Sequence, residues 1–224
     1  MNPIFKVLIC IISGYLIGTI NPSYIMGRIN GIDIRKKGSG NAGASNALIM
    51  FGKIAGVFCA LFDIFKAVIA IYLTSSIFFP SFKLSFVITG VSTILGHMFP
   101  FYMKFKGGKG LASLGGVVLA FDWRVFLILL SIEIVIVLIS DYICFVPLSA
   151  SVAFPIIYGI MEKDIISSLI FLLMTVAIFY KHIENLSRIR NGTELHFSYL
   201  WNKDKELERM NENDAPLDTN ITKK

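Results

Sequence analysis

Apolar residues run through most of this chain in long blocks separated by short polar stretches. Seven blocks can be marked, at about Ile4–Met26, Ile54–Leu73, Leu84–Leu95, Leu111–Phe121, Val125–Ile139, Ile143–Ile160 and Ile165–Tyr180. Blocks of this kind, as opposed to an amphipathic stripe, are the pattern of helices that cross lipid. A full crossing takes about 20 helical residues. The third and fourth blocks are shorter, which suits half-buried or broken helices beside a cavity; five or six full spans are the alternative count. The pattern predicts an all-α, polytopic integral membrane protein of about seven transmembrane helices over residues 1–195. A polar segment, 196–224, follows, and apart from the apolar Phe197–Trp201 it reads as a frayed helix and then disorder.

Composition agrees with the pattern. Of 224 residues 55% are hydrophobic and 16% charged, and the mean hydropathy is +0.70. A soluble domain of this size needs more charge to cover its surface. The net charge is +6, yet from Leu195 onward five Lys/Arg face six Asp/Glu, so the basic excess belongs to the loops. No basic groove interleaved with aromatics appears, which excludes nucleic acid as a partner. Arg28, Arg35, Lys36 and Lys37 follow the first block, Lys104, Lys106 and Lys109 the third, and Lys181, Arg188 and Arg190 the seventh. Seven helices with the N-terminus outside place all three clusters in the cytoplasm. Cys10, Cys59 and Cys144 lack metal-ligand spacing and read as small hydrophobes. The first block reads as a membrane helix in preference to a signal peptide, because no small-residue cleavage site leads into a soluble domain.

Three loops carry candidate chemistry. Residues 38–46 read GSGNAGASN: three glycines that can turn successive N–H groups toward one point, with Ser39, Asn41 and Asn46 adding side-chain hydrogen bonds. Such a loop before an apolar helix can cradle an anion, or be an ordinary capped turn. Residues 96–110 read GHMFPFYMKFKGGKG, combining Lys104, Lys106 and Lys109 with the Gly107-Gly108 pair. The Walker spacing is absent, but ammonium groups beside free backbone suit a phosphate; charge flanking a membrane helix is the plainer account. Residues 182–194 read HIENLSRIRNGTE. On a helix His182 and Asn185 share a face, and Glu184 with Arg188 makes a modest support. At membrane depth Asp63 and Lys66 can neutralise one another as a brace, whereas Glu133 has no obvious partner.

Taken together and in order, these loops resemble the bacterial acyl-phosphate:glycerol-3-phosphate acyltransferase family over about Gly14 to Glu194, including the lead-in Gly31-Ile32-Asp33-Ile34-Arg35-Lys36-Lys37. The resemblance implies a seven-helix enzyme of the bacterial inner membrane that moves a fatty acyl group from acyl phosphate to position 1 of glycerol 3-phosphate. Lysophosphatidate and inorganic phosphate leave; coenzyme A, acyl carrier protein and metal take no part. Membrane lipids surround it, and contact with the enzyme that supplies acyl phosphate is a further expectation. Carried onto this chain, Ser39, Gly40, Asn41, Gly43 and Asn46 match the phosphate-binding first motif. His97, Phe105, Lys106, Gly107, Gly108, Lys109 and Gly110 match the second, with Ser113 near the usual hydroxyl position. His182, Glu184, Asn185, Arg188, Gly192 and Glu194 match the third, and Asp63 and Lys66 a supporting pair. Lys109, His182, Asn185 and His97, the last as a candidate base, are the expected catalytic set, with Lys104 available to the acceptor.

The chain departs from that pattern at two places. Ile49 stands where an arginine is usual, and Ser140-Asp141-Tyr142-Ile143-Cys144-Phe145-Val146-Pro147 replaces a stretch with a basic residue and two serines. Two guanidinium groups that could grip phosphate in bidentate fashion are missing; Lys53, Ser149 and Ser151 are the nearest substitutes. A non-catalytic lipid- or partner-binding relative, or a transporter of a phosphorylated solute, is the alternative function.

Overall fold

The computed structural model describes residues 1–212, with the side chains of residues 203, 207 and 210–212 left aside. Its helices are α1 (Pro3–Thr19), α2 (Pro22–Ile29), α3 (Ala44–Phe51), α4 (Lys53–Ile71), α5 (Leu84–Met98), α6 (Leu111–Phe121), α7 (Trp123–Ser140), α8 (Phe145–Glu162), α9 (Ile165–Arg190) and α10 (Lys203–Glu212). No strand occurs among the described residues. Six stretches are long and apolar enough to cross a membrane, and α6, at eleven residues, is the short one. The protein is therefore a multi-pass, all-helical membrane protein. Its surface agrees: Ile54, Ile139 and Val176 are 89%, 81% and 69% exposed, a distribution suited to lipid.

Local chemistry sets the ends. Asn2, Asn21, Asp122 and Asp164 each accept backbone N–H bonds at the start of a helix. The first apolar block is not continuous. Pro22 lacks an N–H and disfavours helical geometry in the residue before it, so the chain breaks at Ile20–Asn21 and restarts as α2 with Pro22 in its first turn. At the far end of α4 the winding loosens into a π-helix over Tyr72–Phe78, where the Thr74 hydroxyl bonds back to the carbonyls of Ala70 and Ile71.

Contacts along the helices fix their directions. Gly14 meets Thr89, Gly18 meets Thr93 and the Tyr15 hydroxyl reaches Phe99, so α1 and α5 run parallel. Lys66 meets His97 while Thr74 meets Thr89, so α4 runs against them. Phe171 packs on Phe86 and Lys181 lies over Phe99, so α9 is parallel to α5. Ser151 meets Thr175 and Gly159 meets Ser168, which sets α8 against α9. The ends of α1, α5 and α9, which lead into the three polar motifs, therefore lie together at one end of the bundle.

Two crossings depend on missing side chains. A Cβ on Gly18 would run into the carbonyl of Thr93, and one on Gly116 into the carbonyl of Ile64. Small residues let membrane helices approach at backbone distance, where dispersion and not hydrophobicity drives association. Gly18→Leu is expected to force α1 off α5 and cost about 1–3 kcal/mol or more. A clear fall in the melting temperature of the detergent-purified variant checks it.

Farther along the bundle Phe86, Phe121, Phe154, Tyr158 and Phe171 pack with centroids 4.9 to 6.3 Å apart. They tie α5, α6, α8 and α9 into one core. Glu133 has a partner that the sequence did not reveal: the Ser149 hydroxyl donates to its carboxylate at 2.7 Å. All three cysteines are free and buried.

Candidate active site

The first loop is built around Asn46. Its amide nitrogen donates to the carbonyls of Ile34, Lys37 and Asn41 at 2.8–3.0 Å, and its oxygen accepts from the Ser39 N–H at 2.9 Å. Both amide hydrogens are thus used and the residue is fully buried, so Asn46 shapes the loop and does not face outward. Gly38 and Gly40 hold φ of +57° and +72°, which an L side chain rarely adopts. The loop delivers Ser39 and Gly40 to its exposed edge, with Asn41 half-buried beside them and Gly43 as the N-cap of α3.

A second group lies buried beneath the next loop. Lys66 Nζ stands 2.6 Å from Asp63 Oδ1 and 3.0 Å from His97 Nδ1, and it donates to the Ile20 carbonyl at 2.8 Å. Asp63 Oδ1 lies 3.3 Å from the same imidazole nitrogen. The expected brace is thus a trio that also satisfies the carbonyl freed where α1 breaks. His97 is 3% exposed, and its Nε2 sits where a Cβ on Gly108 would go. The N–H groups of Gly107 and Gly108 bond to the carbonyls of Met98 and His97. These two glycines therefore fold the loop tightly over α5, and their amides are not turned toward an anion.

The loop ends in Lys109, and here the motifs meet. Lys109 Nζ donates to Asn185 Oδ1 at 2.5 Å. The Asn185 amide donates to Glu194, whose other oxygen accepts from Arg188 Nε at 2.6 Å. His182, 2% exposed and one turn earlier on the same face of α9, has Nδ1 2.8 Å from the Ile178 carbonyl. Just after Lys109, α6 begins, and the N–H groups of its first turn have no helical acceptors. Ser113 Oγ in that turn is buried without a hydrogen-bond partner among the described residues. Burial pushes the Lys109 ammonium down to about 8, with Glu194 opposing the shift and Arg188 adding to it. A cation, a helix N-terminus and a histidine thus gather beside one ordered carboxylate, an arrangement suited to phosphate.

Other expected residues fall in different places. Lys104 and Lys106 are exposed and carry no ion pair among the described residues. Glu184 is 90% exposed in its side chain and 3.9 Å from Arg188, so the expected helix support is weak beside the Glu194 contact. Ser149 is taken up by Glu133 and Ser151 bonds to the Leu148 carbonyl of its own helix, and Lys53 is exposed at the start of α4. Burial pushes the Cys144 thiol up to about 11, as for an inert hydrophobe. A separate groove of about 540 Å³ is walled by Thr19, Ile20, Tyr24, Ile25, Arg28, Ile29 and Tyr102.

Two features escaped the sequence reading. Asp33 grips Arg35 at 2.8 and 2.9 Å, and Arg35 in turn donates to the Met103 carbonyl at 2.5 Å, joining the first loop to the second. The Arg35 guanidinium holds the Asp33 carboxyl down to about 2. The short Asp-x-Arg spacing was visible, but its distant acceptor was not. The other is the segment after Glu194, which folds back onto the α7–α8 turn at Asp141.

Comparison with known proteins bears on this arrangement. Residues 8–192 match a family model described as glycerol-3-phosphate acyltransferase. A glycerol-3-phosphate acyltransferase of Lactiplantibacillus plantarum is 36% identical over 210 residues, covering 91% of this chain and 99% of that one. Glycerol-3-phosphate acyltransferase 2 of Thermotoga maritima is 38% identical over 184 residues, covering 82% and 92%. The crystal structure of PlsY, an integral membrane glycerol 3-phosphate acyltransferase, in its glycerol 3-phosphate form superposes with a TM-score of 0.78. That match has 30% identity and covers 87% of this chain and 96% of that one. The lysophosphatidic acid form gives 0.76 at 29% identity. With the family model matched over residues 8–192 and these relatives covered over nearly their whole length, the chain belongs to the glycerol-3-phosphate acyltransferase family.

Proposed function

We propose that this protein transfers a fatty acyl group from acyl phosphate to position 1 of glycerol 3-phosphate, releasing lysophosphatidate and inorganic phosphate. The observation that carries the reading is the meeting of the second and third motifs at Lys109 and Asn185, with the first motif tied on through Arg35. The PlsY structures in glycerol 3-phosphate and lysophosphatidic acid forms support it through this chain's similarity to them.

An acyl phosphate is a mixed anhydride with an activated carbonyl and a good leaving group. Two anions must be brought together and one hydroxyl aimed, so catalysis is largely positioning and charge compensation. Lys109, the first turn of α6 and the exposed Ser39–Gly40 edge with Asn41 beside it offset the phosphate charges. His182 and Asn185 orient the acceptor, and Lys104 and Lys106 raise the local concentration of anions. The primary hydroxyl oxygen attacks the acyl carbon, the bond from that carbon to the phosphate oxygen breaks, and the departing phosphate takes the hydroxyl proton. His97 is packed under Gly108 and serves as a positioning residue for the loop.

The basic residues Arg28, Arg35, Lys36, Lys37, Lys104, Lys106, Lys109, Arg188 and Arg190 lie at the site end. Lys6, Lys83, Arg124 and Lys163 lie at the other. By the positive-inside rule the site faces the cytoplasm and the N-terminus lies outside, in a bacterial inner membrane.

Purified protein offered palmitoyl phosphate or palmitoyl coenzyme A with glycerol 3-phosphate tests the donor. Lysophosphatidate is expected from the acyl phosphate alone, and equal product from the thioester would overturn the assignment. Because the protonated Lys109 binds phosphate, kcat/KM is expected to fall as pH rises through about 8. The limb of kcat should lie higher, since bound phosphates stabilise the ammonium. In Lys109→Arg, whose charge persists, the kcat/KM limb should flatten.

A further inference from the structure

The segment beyond the family match, which ends at residue 192, folds back against the site instead of trailing away. Asp141 closes α7 with φ +60° and receives this segment three times. Its carbonyl accepts from the Phe197 N–H at 2.7 Å, and its carboxylate accepts from the Ser198 N–H at 2.8 Å and hydroxyl at 2.7 Å. The His196 ring packs edge-on to Tyr142 with centroids 4.9 Å apart, and its Nε2 lies 3.0 Å from the Tyr142 hydroxyl. Glu206 on α10, 4% exposed, accepts from the His196 N–H and pairs with Arg209. Arg209 then reaches the loop after α9, donating to the carbonyls of Gly192 at 2.5 Å and Glu194 at 2.7 Å.

That loop carries the carboxylate that orders the site. Glu194 sits past the end of α9, so no helix fixes it, yet it must hold Asn185 and Arg188 together while Asn185 holds Lys109. We propose that residues 196–209 form a strap, anchored at Asp141, that positions the acceptor-binding side chains through Glu194. Arg209 and Asp141 are its positioning residues. This inference rests on the acyl-transfer reading only for its kinetic readout.

A strap that acts through Glu194 makes a distinct pattern. In full-length, detergent-purified protein, Arg209→Ala is expected to raise KM for glycerol 3-phosphate about tenfold with kcat changed less than about twofold, the loss of charged hydrogen bonds to the loop being felt in binding. Arg209→Lys should recover part of it. In a double-mutant cycle Arg209→Ala and Glu194→Gln should be non-additive, because the first acts through the second. Asp141→Ala removes the carboxylate that accepts from Ser198, so it should release the Ser198 amide to rapid hydrogen exchange and raise the same KM. An unchanged KM in Arg209→Ala, an additive cycle, or unprotected Phe197 and Ser198 amides in the wild type would each overturn the strap. If the wild type makes no lysophosphatidate, the acyl-transfer reading fails instead, and the exchange measurement still decides whether the strap is docked.

Discussion

Lys109→Ala is expected to lower lysophosphatidate formation by about 10²–10³-fold while leaving the amount of folded protein in the membrane unchanged. The ammonium is the cation that the structure places against Asn185 at the start of α6. Its charge acts where burial has removed most competing water, so its interaction with phosphate is stronger than at an exposed site. Removing it should also unsettle Asn185, which loses a donor to its oxygen. Initial rates for the purified variant, normalised to folded protein, check the effect. Full activity would remove Lys109 from the site.

Asp63→Asn should be the most damaging change away from the reacting groups, costing about 3–5 kcal/mol of stability. Among the described residues the carboxylate is the only anion paired with Lys66 and His97, and both partners are nearly fully buried. Removing one member of a buried ion pair leaves the other charge uncompensated, a larger loss than deleting the pair as a whole. Asp63→Leu combined with Lys66→Met should therefore melt closer to the wild type than Asp63→Asn does. Melting in detergent compares the three. If the single variant proves as stable as the wild type, the trio is not a brace.

The sequence made some of this legible. Blocks of apolar residues marked the helices because lipid tolerates little else, and the three-residue spacing of Asp63 and Lys66, and of His182 and Asn185, placed each pair on one face. The break at Ile20–Asn21 was hidden by apolar residues on both sides. The partnership of His97 with Asp63 and Lys66 could not be read, because it is made between helices. For the same reason Glu194, and not Glu184, holds Arg188: four residues along a helix predict proximity, but a loop carboxylate turned back over the helix end comes closer. Gly107 and Gly108 were read as phosphate amides from composition, whereas their N–H groups finish the end of α5.

The tail was the least legible part. It is polar, its helix carries only Leu207 and Met210 as apolar residues, and its ties to Asp141 span 57 positions. The expected disorder of residues 213–224 lies outside the described residues. Asp141 stands where the resemblance leads one to expect a basic residue, and it holds Ser198 in place of an anion. Ile49 on α3 has no such counterpart. The site therefore concentrates its positive charge on Lys109 and the exposed lysines of the second loop.

The most direct measurement is the stoichiometry of the reaction in purified protein given acyl phosphate and glycerol 3-phosphate, with Lys109→Ala run beside it. One inorganic phosphate is predicted for each lysophosphatidate formed by the wild type, with both signals lost together in the variant. Phosphate released without lysophosphatidate, or a variant as active as its parent, would contradict acyl transfer at this site.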